Sequence, residues 1–166
     1  VVTQGYYADY SPLNSDQQNW VKRYQDFFVR YEELLYNSSM RDVTWTHCGS
    51  DNMEYRFEFP FSADGEAGKI WLMLRENERC KLIGFVNLCG NDDDHWNTGK
   101  EAPVEQRNLT VHVLSDSPCG VWFASPDIEN GRSLPLAYQN RSTNLGNEIT
   151  FVIPKLISCG IVWMEF

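Results

Sequence analysis

The sequence has no run of positive charge. Fourteen Lys and Arg stand against 23 Asp and Glu, a formal charge of −9. Neutralisation of phosphates supplies most nucleic-acid affinity, so nucleic acid is excluded as a partner, and the same repulsion speaks against an anionic membrane surface. Long apolar runs are missing too. The longest, Ile70–Leu74, falls far short of the roughly 20 residues that a membrane helix needs. The opening Val-Val-Thr-Gln-Gly-Tyr-Tyr has neither a basic n-region nor an apolar h-region, so no signal peptide is read there. A chain that starts without Met is expected to be a fragment or a processed product.

The cysteines show no pairing pattern. Cys48, Cys80, Cys89, Cys119 and Cys159 are odd in number and never spaced C-x-x-C, which excludes a zinc ribbon and a redox pair. Three of them flank apolar β-like runs, where a reduced thiol behaves as a small hydrophobe. Phosphate-cradling loops are absent: Thr98-Gly99-Lys100-Glu101 lacks the upstream Gly and the Ser/Thr of a P-loop. There is no G-x-S-x-G elbow for an activated serine. His47, His95 and His112 lie too far apart for H-E-x-x-H, and His112 reads as a hydrogen-bonded histidine on a strand face.

What is present fills a core. At 166 residues, 42% apolar and 14% aromatic, the chain is long enough for one domain of ordinary size and too hydrophobic for disorder. Residues 1–14 have no period and read as a loop carrying Tyr6, Tyr7 and Tyr10. Over 16–36, Trp20, Val21, Tyr24, Phe27, Phe28, Tyr31, Leu34 and Leu35 recur at steps of three and four, which predicts an amphipathic helix. Ser15 with Gln18 fits a capping box, and Asn37-Ser38-Ser39 ends the helix. The stripe formed by Trp20, Tyr24, Phe27, Tyr31 and Leu34 is broad and aromatic, so it needs a packing partner or, in an isolated chain, a second copy as a homodimer.

From residue 43 the period changes to two. Strands are predicted at 43–48, 53–59, 69–75, 81–88, 109–114, 121–125, 134–138, 149–153 and 160–166, separated by turn formers such as Asp64-Gly65 and Asn130-Gly131. About nine short strands with no helices between them mean hairpins, not βαβ units. The expected fold is mainly β, an antiparallel Greek-key sandwich, with the helix ahead of it. The expected division is 1–40 and 41–166.

Binding chemistry is sparse. The loop Gly90–Gly99 is rich in oxygen ligands, and Asp92 and Asp94 are candidates for a structural calcium site, although the EF-hand Gly and Glu are missing. Trp96 either pins that loop or stacks on a sugar; Trp122 and Tyr138 are the other candidate sugar platforms. Glycoside hydrolysis needs two carboxylates at a set separation, and 23 acids guarantee close pairs by number alone. Asn37, Asn108 and Asn140 open N-x-S/T sequons, which matter only in a eukaryotic secretory protein.

Taken in order, several segments resemble the C-terminal part of glycoside hydrolase family 66, the dextranases and cycloisomaltooligosaccharide glucanotransferases. Gly5-Tyr-Tyr-Ala-Asp-Tyr and Tyr24-Gln-Asp-Phe-Phe-Val-Arg-Tyr-Glu-Glu-Leu-Leu35 look like the loop and last helix of that family's (β/α)8 barrel. Gly68-Lys-Ile-Trp71, Leu82-Ile-Gly-Phe-Val-Asn-Leu88, Asp94-His-Trp-Asn97 with Lys100 and Pro103, Ser125-Pro-Asp127 and 149–154 resemble the β-domain that follows. The resemblance implies a parent enzyme that hydrolyses or transglycosylates α-1,6-glucan with retention. Its Asp nucleophile and Glu acid/base would lie upstream of Val1, so no catalytic residue is expected here. The implied role is a non-catalytic accessory domain packed on the upstream catalytic barrel, with an extracellular or cell-surface bacterial location. The alternative is an independent carbohydrate-binding module for α-glucan. No cofactor beyond the candidate calcium is expected.

Overall fold

In this computed structural model the structure describes residues 14–48, 52–95 and 99–166. The chain divides after Ser38 into two units.

The first unit is helical. α1 (Ser15–Arg30) is followed by one further turn, α2 (Glu32–Leu35). The cap is one residue earlier than the sequence suggests. The Asn14 side chain accepts from Gln17 N at 2.9 Å, and the Gln17 side chain accepts from Asn14 N at 3.0 Å. An asparagine with a glutamine at N3 closes the same reciprocal box as Ser with Gln. Along the stripe Phe27 and Tyr31 are buried, Tyr24 and Leu34 half-buried, and Trp20 41% exposed. Trp20 and Tyr24 pair at 4.5 Å between ring centroids, and Phe27 and Tyr31 at 4.9 Å.

The second unit is a two-sheet antiparallel sandwich. Its elements are β1 (Arg41–Asp42), α3 (Thr44–His47), β2 (Tyr55–Phe57), β3 (Phe61–Ser62), β4 (Ile70–Glu76), β5 (Cys80–Asn87), β6 (Gln106–Leu114), β7 (Gly120–Ala124), β8 (Leu134–Pro135), β9 (Tyr138–Thr143), β10 (Gly146–Leu156) and β11 (Cys159–Glu165). The seven-stranded sheet runs β1-β4-β5-β11-β7-β8, with β3 beside β4; the four-stranded sheet runs β2-β6-β10-β9. Every pairing is antiparallel except the short β3–β4 contact. Period-two alternation sets the faces: Leu72, Leu74, Ile83, Phe85, Phe123, Val162 and Met164 of the larger sheet meet Val111, Val113, Ile149, Phe151 and Ile153 of the smaller. Each such side chain contributes about 1.5–3 kcal/mol by burial.

Two expectations are corrected. Residues 43–48 form no strand. Asp42 Oδ1 accepts the Thr44 N–H at 2.9 Å, and Thr44 Oγ1 accepts from Leu74 N at 2.9 Å. These bonds fold the segment into the single helical turn α3, bury Thr44 and leave Trp45 70% exposed. Residues 134–138 are not one strand either. β8 stops at Pro135, and Tyr138 opens β9, a strand of polar residues (YQNRST) whose sequence carries no apolar alternation.

The larger sheet is apolar on both faces. Leu82, Ile161 and Trp163, which point away from the smaller sheet, are buried, whereas an antiparallel sheet with one wet face would alternate with polar residues there. Gly160 sits at the closest approach inside the sandwich, where an added Cβ would lie 2.8 Å from Phe123 Cε2 and 3.1 Å from the Ala124 carbonyl. Gly160→Ala therefore overpacks a core that cannot yield on the backbone side. Chemical denaturation should show a loss of about 1–3 kcal/mol; an unchanged midpoint would mean that the core adapts there.

Candidate functional site

Two polar assemblies and one groove stand out among the described residues. The first lies at the rim of the sandwich. The β4–β5 hairpin turns on Asn77, whose Oδ1 accepts from Arg79 N at 2.9 Å and Cys80 N at 2.8 Å, and it brings Glu76 opposite Lys81. Lys81 Nζ contacts Glu76 Oε2 at 2.8 Å and Glu54 Oε1 at 2.5 Å. The Tyr55 hydroxyl donates to Glu76 Oε2 at 3.2 Å, and His47 Nε2 lies 3.1 Å from Glu54 Oε2.

His47, Glu54 and Glu76 offer three ligand atoms within 4.8 Å of one another. Lys81 already holds both carboxylates, so a divalent cation would meet a fixed ammonium at contact distance. The arrangement is a closed ion-pair network. Burial alone pushes Glu76 up, but the Lys81 hydrogen bond and charge, with His47 and Tyr55 behind them, carry it below the ordinary 4.5. Burial and the two glutamates push the Tyr55 phenol far up, so it stays neutral. The Cys80 and Cys48 thiols rise to about 11 by burial. They are poor nucleophiles.

The second assembly crosses the outer face of the smaller sheet. Arg56, His112, Thr150 and Gln139 are in register, one per strand of β2, β6, β10 and β9. His112 Nε2 lies 2.9 Å from Glu58 Oε1, and Nδ1 lies 3.0 Å from Thr150 Oγ1 and 3.4 Å from Glu148 Oε1. Arg56 pairs with Glu148. The His112 hydrogen bond, ahead of smaller contributions, lowers the Glu58 carboxyl. Thr150, His112 and Glu58 form a hydroxyl–imidazole–carboxylate line. However, Thr150 sits in mid-strand, paired on both sides by β6 and β9, so no free backbone donors converge on an oxyanion.

At the end of that row lies a groove of about 470 Å³. β9 begins at Tyr138, opposite Phe151, while β10 runs on to Leu156. The gap between β10 and residues 135–137 is open and shallow, lined by Pro135, Tyr138, Gln139, Thr150, Val152 and Pro154 among others.

The candidate residues from the sequence disperse. Trp96 lies outside the described residues. Asp92 and Asp94 are exposed, while Asp93 between them pairs with Lys100 and accepts from His95 N at 2.8 Å. The neck of that loop is closed by buried Asn87, whose side chain bonds Val104 O at 2.9 Å, Ile157 O at 2.7 Å and Cys89 N at 3.0 Å. Trp122 is half-buried and stacks on the buried Trp163 at 6.5 Å and 22°. Tyr138 lines the groove, its hydroxyl fixed to the Pro118 carbonyl at 2.9 Å. Sequence reasoning missed Trp45, Gln139 and Thr150; only the pairing of β9 with β10 places the last two side by side.

The rim network has a testable pH signature. A carboxylate held below its ordinary value contributes stability that is present above that value and lost as pH falls through the folded value. Lys81→Met removes the strongest lowering influence on Glu76, so burial is opposed only by His47 and Tyr55 and the carboxyl rises. The variant should lose on the order of 3 kcal/mol near pH 7 and regain part of it on acidification, whereas the wild type weakens. Thermal unfolding across pH checks this. Parallel profiles for the two proteins would refute the assignment.

The comparisons with known proteins cover nearly the whole chain. The family model of glycosyl hydrolase family 66 matches residues 1–161. Two cycloisomaltooligosaccharide glucanotransferases of Niallia circulans are each 27% identical over 164 residues, 96% of this chain. The chain spans only 16% of the length of either relative. A solved cycloisomaltooligosaccharide glucanotransferase of Paenibacillus sp., in complex with cycloisomaltoheptaose, superposes with a TM-score of 0.77 at 24% identity, over 91% of this chain and 21% of that one. That likeness concerns the fold. With the family match running over more than nine-tenths of its residues, the chain belongs to glycosyl hydrolase family 66.

Proposed function

We propose that this chain is a non-catalytic accessory β-domain, with the terminal helix of a catalytic barrel ahead of it, from an enzyme that acts on α-1,6-glucan. The observation that carries this reading is the mismatch of coverage: 96% of the chain aligns with glucanotransferases of whose length it spans 16%. The chemistry agrees. Among the described residues, the carboxylates gathered into clusters lie beside Lys81, Arg56 or His112, and none is paired with another across an open cleft as glycoside hydrolysis requires.

The role is to pack on the barrel and support it. The exposed end of an aromatic helix stripe is the kind of surface that a neighbour covers. Trp20 is 41% exposed, more than a ring of that size usually retains in a finished core.

The isolated chain should release neither reducing sugar nor cyclic glucan from dextran. A longer polypeptide carrying the upstream barrel should be active, and removing residues 39–166 from it should lower its melting temperature. Turnover by the isolated chain that is abolished on replacing one Asp or Glu would overturn the reading. In the isolated chain the exposed end of the helix stripe at Trp20 should drive self-association, which sedimentation would detect and Trp20→Glu would reverse. A wild type that sediments as a monomer at every concentration removes the argument from the stripe.

A further inference from the structure

We infer that the groove at the end of β9, with the polar row beside it, is a saccharide subsite for a neutral, linear glucan segment; the ligand class rests on the α-glucan reading above. The groove combines the two elements such ligands need. Val152 and Pro154, on the face that carries Thr150, provide apolar surface for the C–H face of a pyranose ring. Gln139 and Thr150 provide a carboxamide and a hydroxyl that can donate to and accept from sugar hydroxyls. Thr150 is set by His112, at 3.0 Å from its hydroxyl. This group is thus held in place before a ligand arrives, which lowers the entropic cost of binding.

Two features select the occupant. Arg56, the cation of the row, is paired with Glu148, and Glu58 lies beside His112, so the face offers no positive field to attract a phosphate. Among the described residues, no strand pairs with β10 beyond Phe151 on the β9 side, an open edge that would otherwise invite an added peptide strand. Pro154 lies in that edge and lacks the N–H that strand addition needs. A neutral ligand that binds through side chains fits both facts. The row, one side chain per strand across four strands, runs roughly 14 Å at ordinary strand spacing, so a ligand held in the groove extends over more than one ring.

The test is calorimetric titration of the full 166-residue chain with isomaltotetraose, an oligomer of α-1,6-linked glucose, and with maltotetraose as the α-1,4 control. Saturable binding of isomaltotetraose is expected. Gln139→Ala should weaken it about tenfold, the equivalent of one good hydrogen bond, and Val152→Asp should abolish it. Both positions are exposed, so both variants should fold, which circular dichroism verifies. Trp122→Ala should leave the affinity unchanged. No saturable binding of either oligomer overturns the subsite, while the accessory-domain reading stands or falls separately on the barrel-deletion experiment. Binding that survives both groove variants, or that is lost with Trp122→Ala, also overturns it. Binding of maltotetraose alone keeps the groove but contradicts the α-1,6-glucan reading.

Discussion

The β-unit depends on one strand being apolar on both sides. β11 lies between β5 and β7; it turns Val162 and Met164 into the sandwich and Ile161 and Trp163 out of it, all four buried. A strand of this kind cannot sit at an edge or face water, so its neighbours must be equally two-sided. Leu82 on β5 and Ala124 on β7 meet that demand. Gly160 is the concession the packing requires, since Phe123 fills the space in front of it. The smaller sheet has the opposite character. Its inner face is aliphatic and its outer face is a polar row, so one layer is built to be covered and the other to meet solvent.

The segments that resemble the family turn out to be fasteners. Asn87 within Leu82–Leu88 bonds the turn after β10 and the neck of the Asn-Asp loop at once. The Asp127 carboxylate of Ser125-Pro-Asp127 accepts from Ser158 N at 3.1 Å, and Ser125 Oγ donates to the Cys159 carbonyl at 2.7 Å. Both fix residues 157–159, the link that carries the chain from the smaller sheet to the centre of the larger one. Buried polar groups satisfied in this way tolerate little substitution.

Carboxylates are abundant here, and among the described residues the gathered ones lie beside basic side chains. Glu76 and Glu54 share Lys81, and Glu148 and Glu58 flank His112 with Arg56 beside them. Catalytic pairs are arranged differently, with environments that push two carboxyl values apart around an open space for substrate. Composition could not distinguish the two situations.

The sequence determined the classes of element. Steps of three and four in 16–36 fix a helix, and strict alternation in 53–59 and 109–114 fixes half-buried strands, because side-chain direction follows backbone period. The family was legible as well, since the fastening residues keep their order along the chain. Tertiary structure alone decided the rest. Val43–Cys48 alternates like a strand, yet Asp42 and the Leu74 backbone wind it into a turn and expose Trp45. β9 has no hydrophobic pattern and exists because β10 offers it an edge. The polar row and its groove join residues from four strands far apart in sequence. Register across a sheet is a property of pairing, and no local period encodes it.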